Sequence, residues 1–216
     1  MRFKTFKTEK TTSIDMILPI VAIGDPVLRK TGTEISKDYP DLTTLIANMF
    51  ETMYNAKGVG LAAPQIGLPI RLFLVDTIQL KSNPEEDFDD REDDGLKDEN
   101  PIKKVFLNAL IIEKNGNLVS YNEGCLSIPG VRENIKRQET VTLQYHDEQF
   151  NQYTETFTGL TARVILHEYD HIQGVLFTDH LSPLKKQLLK KRLERIGKGI
   201  VDVEYRMRFS NMGRKR

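Results

Sequence analysis

The chain has 216 residues, enough for one compact domain with a full core. Hydrophobic residues make up 39% and charged residues 29%, which marks a globular body and not a solvated polymer. Lys plus Arg and Asp plus Glu both number 31, so no global charge draws the chain to DNA or to an anionic membrane; a charged partner must meet a local patch.

Residues 1–15 are polar, with Arg2, Lys4, Lys7 and Lys10 among hydroxyl side chains, and have no apolar period. They read as a flexible arm: an upstream extension, a targeting segment or a contact arm. Glu9 and Asp15 weigh against targeting, because transit peptides avoid acids. Met16 opens an apolar stretch to Ile23 that Pro19 interrupts, too short for a signal core. No run approaches the ~20 apolar residues of a spanning helix. The single cysteine, Cys125, rules out an internal disulfide and suits a reducing compartment, so the cytoplasm is the expected location.

From Asp41 onward the pattern becomes helical. Leu42, Leu45, Ile46, Met49, Phe50, Met53 and Tyr54 recur at steps of three and four, and Gly58 is the expected left-handed cap. Strands are predicted over 70–75, 105–112, 140–145 and 153–157, where β-branched and aromatic residues concentrate. Between the first two lies an insertion at 81–100 with ten acidic and three basic residues, which reads as a mobile loop. A second helix is predicted over 160–173, ended by Gly174, and a third over 183–196 with Pro183 in its first turn. The third helix has a basic side (Lys185, Lys186, Lys190, Lys191, Arg192), and a basic tail follows from Lys198 to residue 216. One catalytic body over 16–197 is expected.

The chemistry concentrates in His167-Glu168-Tyr169-Asp170-His171. Four residues make about one helical turn, so both imidazoles can reach one cation, while Glu168 can move protons for a water bound there. The same spacing also occurs as an ordinary surface pair. In one group of zinc peptidases a third histidine follows, but Phe177 stands at that position here. The other common third ligand is a downstream glutamate; Glu194 alone has a plausible spacing, and it sits in the basic helix. Cys125, in Glu123-Gly124-Cys125-Leu126-Ser127, is the remaining candidate. A lone cysteine can equally be a small buried side chain. With two imidazoles, however, a thiolate would leave one tetrahedral position open, the catalytic arrangement. A third segment, residues 58–67, is rich in Gly and Ala and includes Gln65. It lacks the Lys-Ser/Thr of a phosphate-binding loop.

Together these segments resemble the signatures of the peptide deformylases: Gly-x-Gly-Leu-Ala-Ala-x-Gln, Glu-Gly-Cys-Leu-Ser and His-Glu-x-x-His, intact and in that order. Residues 24–29 and 176–183 are also similar to the family. The resemblance implies a single-domain α+β fold, with antiparallel strands packed around a central helix carrying the His-Glu-x-x-His motif, and a C-terminal helix. It implies a divalent metal on Cys125, His167 and His171, typically Fe2+, with Zn2+, Ni2+ or Co2+ able to substitute. Glu168 would be the general base and acid for a metal-activated water, removing the formyl group of N-formylmethionyl nascent peptides. Gln65 and the Leu126 N–H would donate to the developing oxyanion, with Gly60 beside them. Val59, Gly60 and Leu61 would pair with the peptide backbone, and Leu160 and Val164 would line the methionine pocket. Glu123 is carried over at the substrate side; it and Asp170 could orient ligands or be solvated carboxylates. Arg163, one step from the pocket face, departs from the pattern and must turn away or narrow the pocket. The basic C-terminal region could meet the ribosome through phosphates. A metallopeptidase, or a binding protein whose metal only holds the fold, are the competing readings.

Overall fold

A computed structural model describes residues 16–82 and 100–210; the expected arm and almost all of the acidic insertion fall outside the described residues. The elements are β1 (Ile20–Val21), α1 (Leu42–Asn55), β2 (Gly60–Ala62), β3 (Leu72–Asp76), α2 (Gln79–Ser82), β4 (Lys103–Gly124), β5 (Arg132–His146), β6 (Gln152–Thr158), α3 (Gly159–Ile172), α4 (Pro183–Gly197) and β7 (Met207–Arg208). Short 3-10 turns occupy Pro26–Arg29, Ala63–Ile66 and Phe177–His180.

Among the described residues, β2 to β6 form one antiparallel sheet in sequence order, and β1 pairs with β7 in a small parallel sheet. Every residue of β3 is buried, because a helix covers each face of the sheet there. Leu72 and Leu74 pack with Ile46, Met49 and Met53 of α1. Phe73 and Val75 point the other way, into a core with Ala162, Ile165 and Leu166 of α3. Phe73 lies opposite Phe106 and the two rings stack at 4.7 Å between centroids. The period-two alternation of side chains thus feeds two cores from one apolar run. Helix α3 is buried over nearly its whole length, including His167, Glu168 and His171. The α+β architecture expected above, with antiparallel strands around this helix, is what the chain forms.

Two elements run past their predicted ends. β4 continues to Gly124 and β5 begins at Arg132, so the strands form a long hairpin whose connection is the segment 125–131. Residues 112–120 are mostly exposed, so the extension carries no inward apolar pattern and is held by its backbone ladder. Register shifts near Leu107, Ile111 and Asn115, with left-handed backbone at Asn108 and Gly116, bend the hairpin.

The end of α1 corrects the expected cap. Lys57, not Gly58, takes the left-handed conformation (φ 55°). Its N–H reaches Tyr54 O at 2.9 Å and the Gly58 N–H reaches Met53 O at 2.8 Å, a Schellman closure. Gly58 is closely approached instead: a Cβ there would lie 2.8 Å from Leu126 Cδ1. Gly174 does end α3 left-handed, at φ 73°.

The stretch read as a tail from Lys198 is not free through residue 208. Ile196 anchors the end of α4 in a core with Val21 and Leu28, and the chain then returns so that β7 lies beside β1. No helix among the described residues is long and apolar enough to cross a membrane.

Candidate metal centre and peptide cleft

Two elements supply the cluster. His167 and His171 stand one turn apart on α3, with ring centroids 5.0 Å apart, and Cys125 opens the β4–β5 connection. The Cys125 Sγ lies 3.3 Å from His171 Nε2, and one ligand atom from each of the three residues lies within 4.8 Å of the others. One soft sulfur and two imidazole nitrogens converging in a buried pocket is a donor set for a borderline divalent ion. The candidate third donor left open by the helix motif is brought in by the hairpin, whereas Phe177 stacks against the His167 ring.

A buried charge network holds the first histidine. Glu123 accepts from His167 Nδ1 at 3.0 Å, from Arg163 Nη1 at 2.9 Å and from Arg137 Nε and Nη2 at 2.7 and 3.0 Å. With Nδ1 committed to this carboxylate, the Nε2 of His167 is left for the cluster. Burial would raise the Glu123 carboxyl, but the His167 hydrogen bond and the Arg137 charge outweigh it and hold it well below the carboxylate range. Arg137 extends the network, donating to Asp170 Oδ2 at 2.7 Å, where His180 Nε2 also sits at 2.7 Å. Glu123 and Asp170 are thus both engaged within the protein. Glu123 lies at the cleft, where it was expected, and both its oxygens accept from protein groups. Arg163 lines the cleft and its guanidinium is spent on the protein, with Nη1 also reaching Ile135 O at 3.0 Å and Nη2 reaching Val119 O at 2.6 Å.

Glu168, Gly60 and Gln65 lie around the cluster. Glu168 is buried and one of its oxygens has no partner. Burial pushes its carboxyl up to about 7, so it can hold or release a proton near neutrality. It rests on Gly60, where an added Cβ would fall 2.5 Å from Glu168 Oε1. Gln65 Oε1 accepts from the Ala62 N–H at 2.8 Å, which turns the amide so that Nε2 faces Cys125 Sγ at 3.5 Å. Burial and the neighbouring His167 push His171 well below its ordinary value, keeping it a neutral lone-pair donor.

A cleft of about 800 Å³ opens over these groups. Val59, Gly60 and Gln65 lie on one side, Glu123 to Leu126 on another, and Leu160, Val164 and His167 on a third. Among the described residues β2 is an edge strand, paired only with β3, so its other edge can accept an extended backbone. Leu61 is fully buried and does not line the cleft, unlike Val59 and Gly60. Sequence reasoning missed Arg137, which lies in the part of β5 that was not predicted, two residues after the inward-facing Ile135. A charged residue in phase with a buried one is the signal that would have found it. Tyr205, on the cleft wall, left no such signal.

The polypeptide deformylase family model matches residues 17–187. A peptide deformylase of Christiangramia forsetii is 55% identical over 201 residues, covering 93% of this chain and 100% of that protein. One of Flavobacterium johnsoniae is 57% identical over 195 residues, covering 90% and 97%. Among solved structures, a peptide deformylase from Legionella pneumophila matches with a TM-score of 0.70 at 35% identity, covering 86% of this chain and 98% of that one.

Proposed function

This chain belongs to the polypeptide deformylase family, and from that premise we propose that Cys125, His167 and His171 hold its metal ion while Glu168, Gln65 and Leu126 perform the proton transfer and charge stabilisation. The reaction is metal-dependent hydrolysis of the formyl amide at the N-terminus of nascent peptides, releasing formate. The observation that carries the assignment is the convergence of the Cys125 sulfur and two α3 imidazoles beside a buried carboxyl with an unpartnered oxygen.

When bound, a divalent cation supplies Lewis acidity and brings the pKa of water toward neutrality. Glu168 accepts the proton of the attacking water and returns it to the amine as the C–N bond breaks. Gln65 Nε2, its orientation set by the Ala62 N–H, donates to the formyl oxygen as negative charge develops there. The Leu126 N–H has no acceptor among the described residues and makes the second donor. The peptide adds to the β2 edge at Val59 and Gly60, and Leu160 and Val164 form an apolar wall for the methionine side chain.

The ion we assign is Fe2+, with Zn2+, Ni2+ or Co2+ as substitutes, and the compartment is the cytoplasm. Ribosome contact through exposed Lys190 and Lys191 of α4 is part of the same reading; unchanged co-sedimentation of a Lys190→Glu/Lys191→Glu variant would remove it.

The decisive experiment is formate release from a formyl-Met peptide by Fe- or Ni-loaded protein. Glu168→Ala should keep its metal and lose turnover, and Cys125→Ala should lose its metal. A Cys125→Ala protein that retains full metal content overturns the ligand assignment.

A further inference from the structure

The family match ends at residue 187, yet the chain beyond α4 returns to the cleft, where Asp202, Val203, Glu204 and Tyr205 line one wall. The Tyr205 hydroxyl lies 2.8 Å from Leu126 O, and because a carbonyl only accepts, the tyrosine is the donor. Three successive carbonyls of the cysteine-bearing connection are in fact each held by a different group. Cys125 O accepts from Ile128 N–H at 2.8 Å, Leu126 O from Tyr205, and Ser127 O from Ile23 N–H at 2.9 Å.

Both outside donors flank the small parallel sheet. Ile23 follows β1 and Tyr205 precedes β7, and the two strands are stapled by Ile20 N–H to Arg206 O and Ala22 N–H to Arg208 O, each 2.9 Å. The Leu126 side chain meanwhile abuts Gly58, where an added Cβ would lie 2.8 Å from Leu126 Cδ1. Leu126 is therefore contacted at its side chain by one element and held at its carbonyl by another, while its N–H has no acceptor among the described residues. An exposed Lys57–Glu204 pair at 3.2 Å ties the same segment to the corner before β2, and being exposed it adds little.

We propose that Tyr205 is a positioning residue for deformylation: by holding the Leu126 carbonyl it aims the Leu126 N–H at the reacting oxygen, and the C-terminal segment is a working wall of the cleft. This rests on the reading above, in which Leu126 is an oxyanion donor. Deleting such a donor costs about 10²–10³ in kcat, so loosening one should cost about 10-fold.

The test is Tyr205→Phe and Tyr205→Leu in the full-length, metal-loaded protein. Both should lose about 10-fold in kcat on a formyl-Met peptide with KM within about two-fold, since the donor acts on charge that develops in the transition state. Metal content should be unchanged in both. In the metal-free Tyr205→Phe protein, amide hydrogen exchange should quicken at residues 126–128 and not in α3. If only Tyr205→Leu is impaired, the ring packs and the hydroxyl positions nothing. Unchanged kcat in Tyr205→Phe, a change confined to KM, or unchanged exchange at 126–128 overturns the proposal. A wild-type protein that releases no formate overturns the earlier reading and takes this one with it.

Discussion

Arg137→Met is the sharpest probe of the buried charge network. The substitution keeps the stem volume and removes the guanidinium, which is 6% exposed and bridges Glu123 and Asp170. Breaking a buried ion pair from one side typically costs about 3–5 kcal/mol, because the remaining charge is left without its partner. Here Glu123 keeps Arg163 and His167 as donors, so the lower end, about 3 kcal/mol, is expected. For a chain of this size that corresponds to a fall of about 6–12 °C in Tm. Urea unfolding of the metal-free protein, held in chelator, isolates the effect on the chain from the effect on metal affinity. The double variant Glu123→Gln/Arg137→Met removes both charges and should lose less than the two singles added together, by about 1.5 kcal/mol or more. In the loaded protein the looser His167 should lower metal affinity by about 10-fold or more. A loss under about 1 kcal/mol for Arg137→Met, or strict additivity in the double variant, would refute the claim that this pair is coupled.

Gly60→Ala places a methyl where Glu168 Oε1 now lies, 2.5 Å from the added carbon. Since Oε1, Cγ and Cδ of Glu168 obstruct it and no backbone atom does, the fold should survive while the Glu168 side chain shifts, costing about 10²-fold in kcat with metal content unchanged. Wild-type turnover from this variant would show that the position of Glu168 is not limiting. Removing the metal should destabilise the protein by mass action, about 4 kcal/mol if free ion had stood 1,000-fold above its Kd. Calorimetry with and without chelator reads this difference, and Cys125→Ala should show none; an equal drop in that variant would place the ion elsewhere.

The sequence by itself determined the chemistry and much of the scaffold. His167 and His171 at helical spacing, the apolar steps of α1 and the apolar run of β3 are local patterns, because periodicity and side-chain type are properties of neighbouring residues. The three motifs singled out Cys125, His167 and His171 as candidate ligands, yet spacing along the chain could not say that Cys125 and His171 lie 3.3 Å apart. That distance depends on a hairpin whose outer half is exposed and patterned by no core, so its length came from strand pairing alone. Three further roles were decided only by tertiary structure. Arg163 had to turn away from the pocket or narrow it, and its place was set when Glu123, Val119 and Ile135 came together around its guanidinium. Arg137 was a charge without context until β5 turned it inward. Tyr205, 79 residues beyond Leu126, became part of the site only when β7 closed against β1. Buried polar groups need partners, and partners at such separations are chosen by packing and not by local sequence.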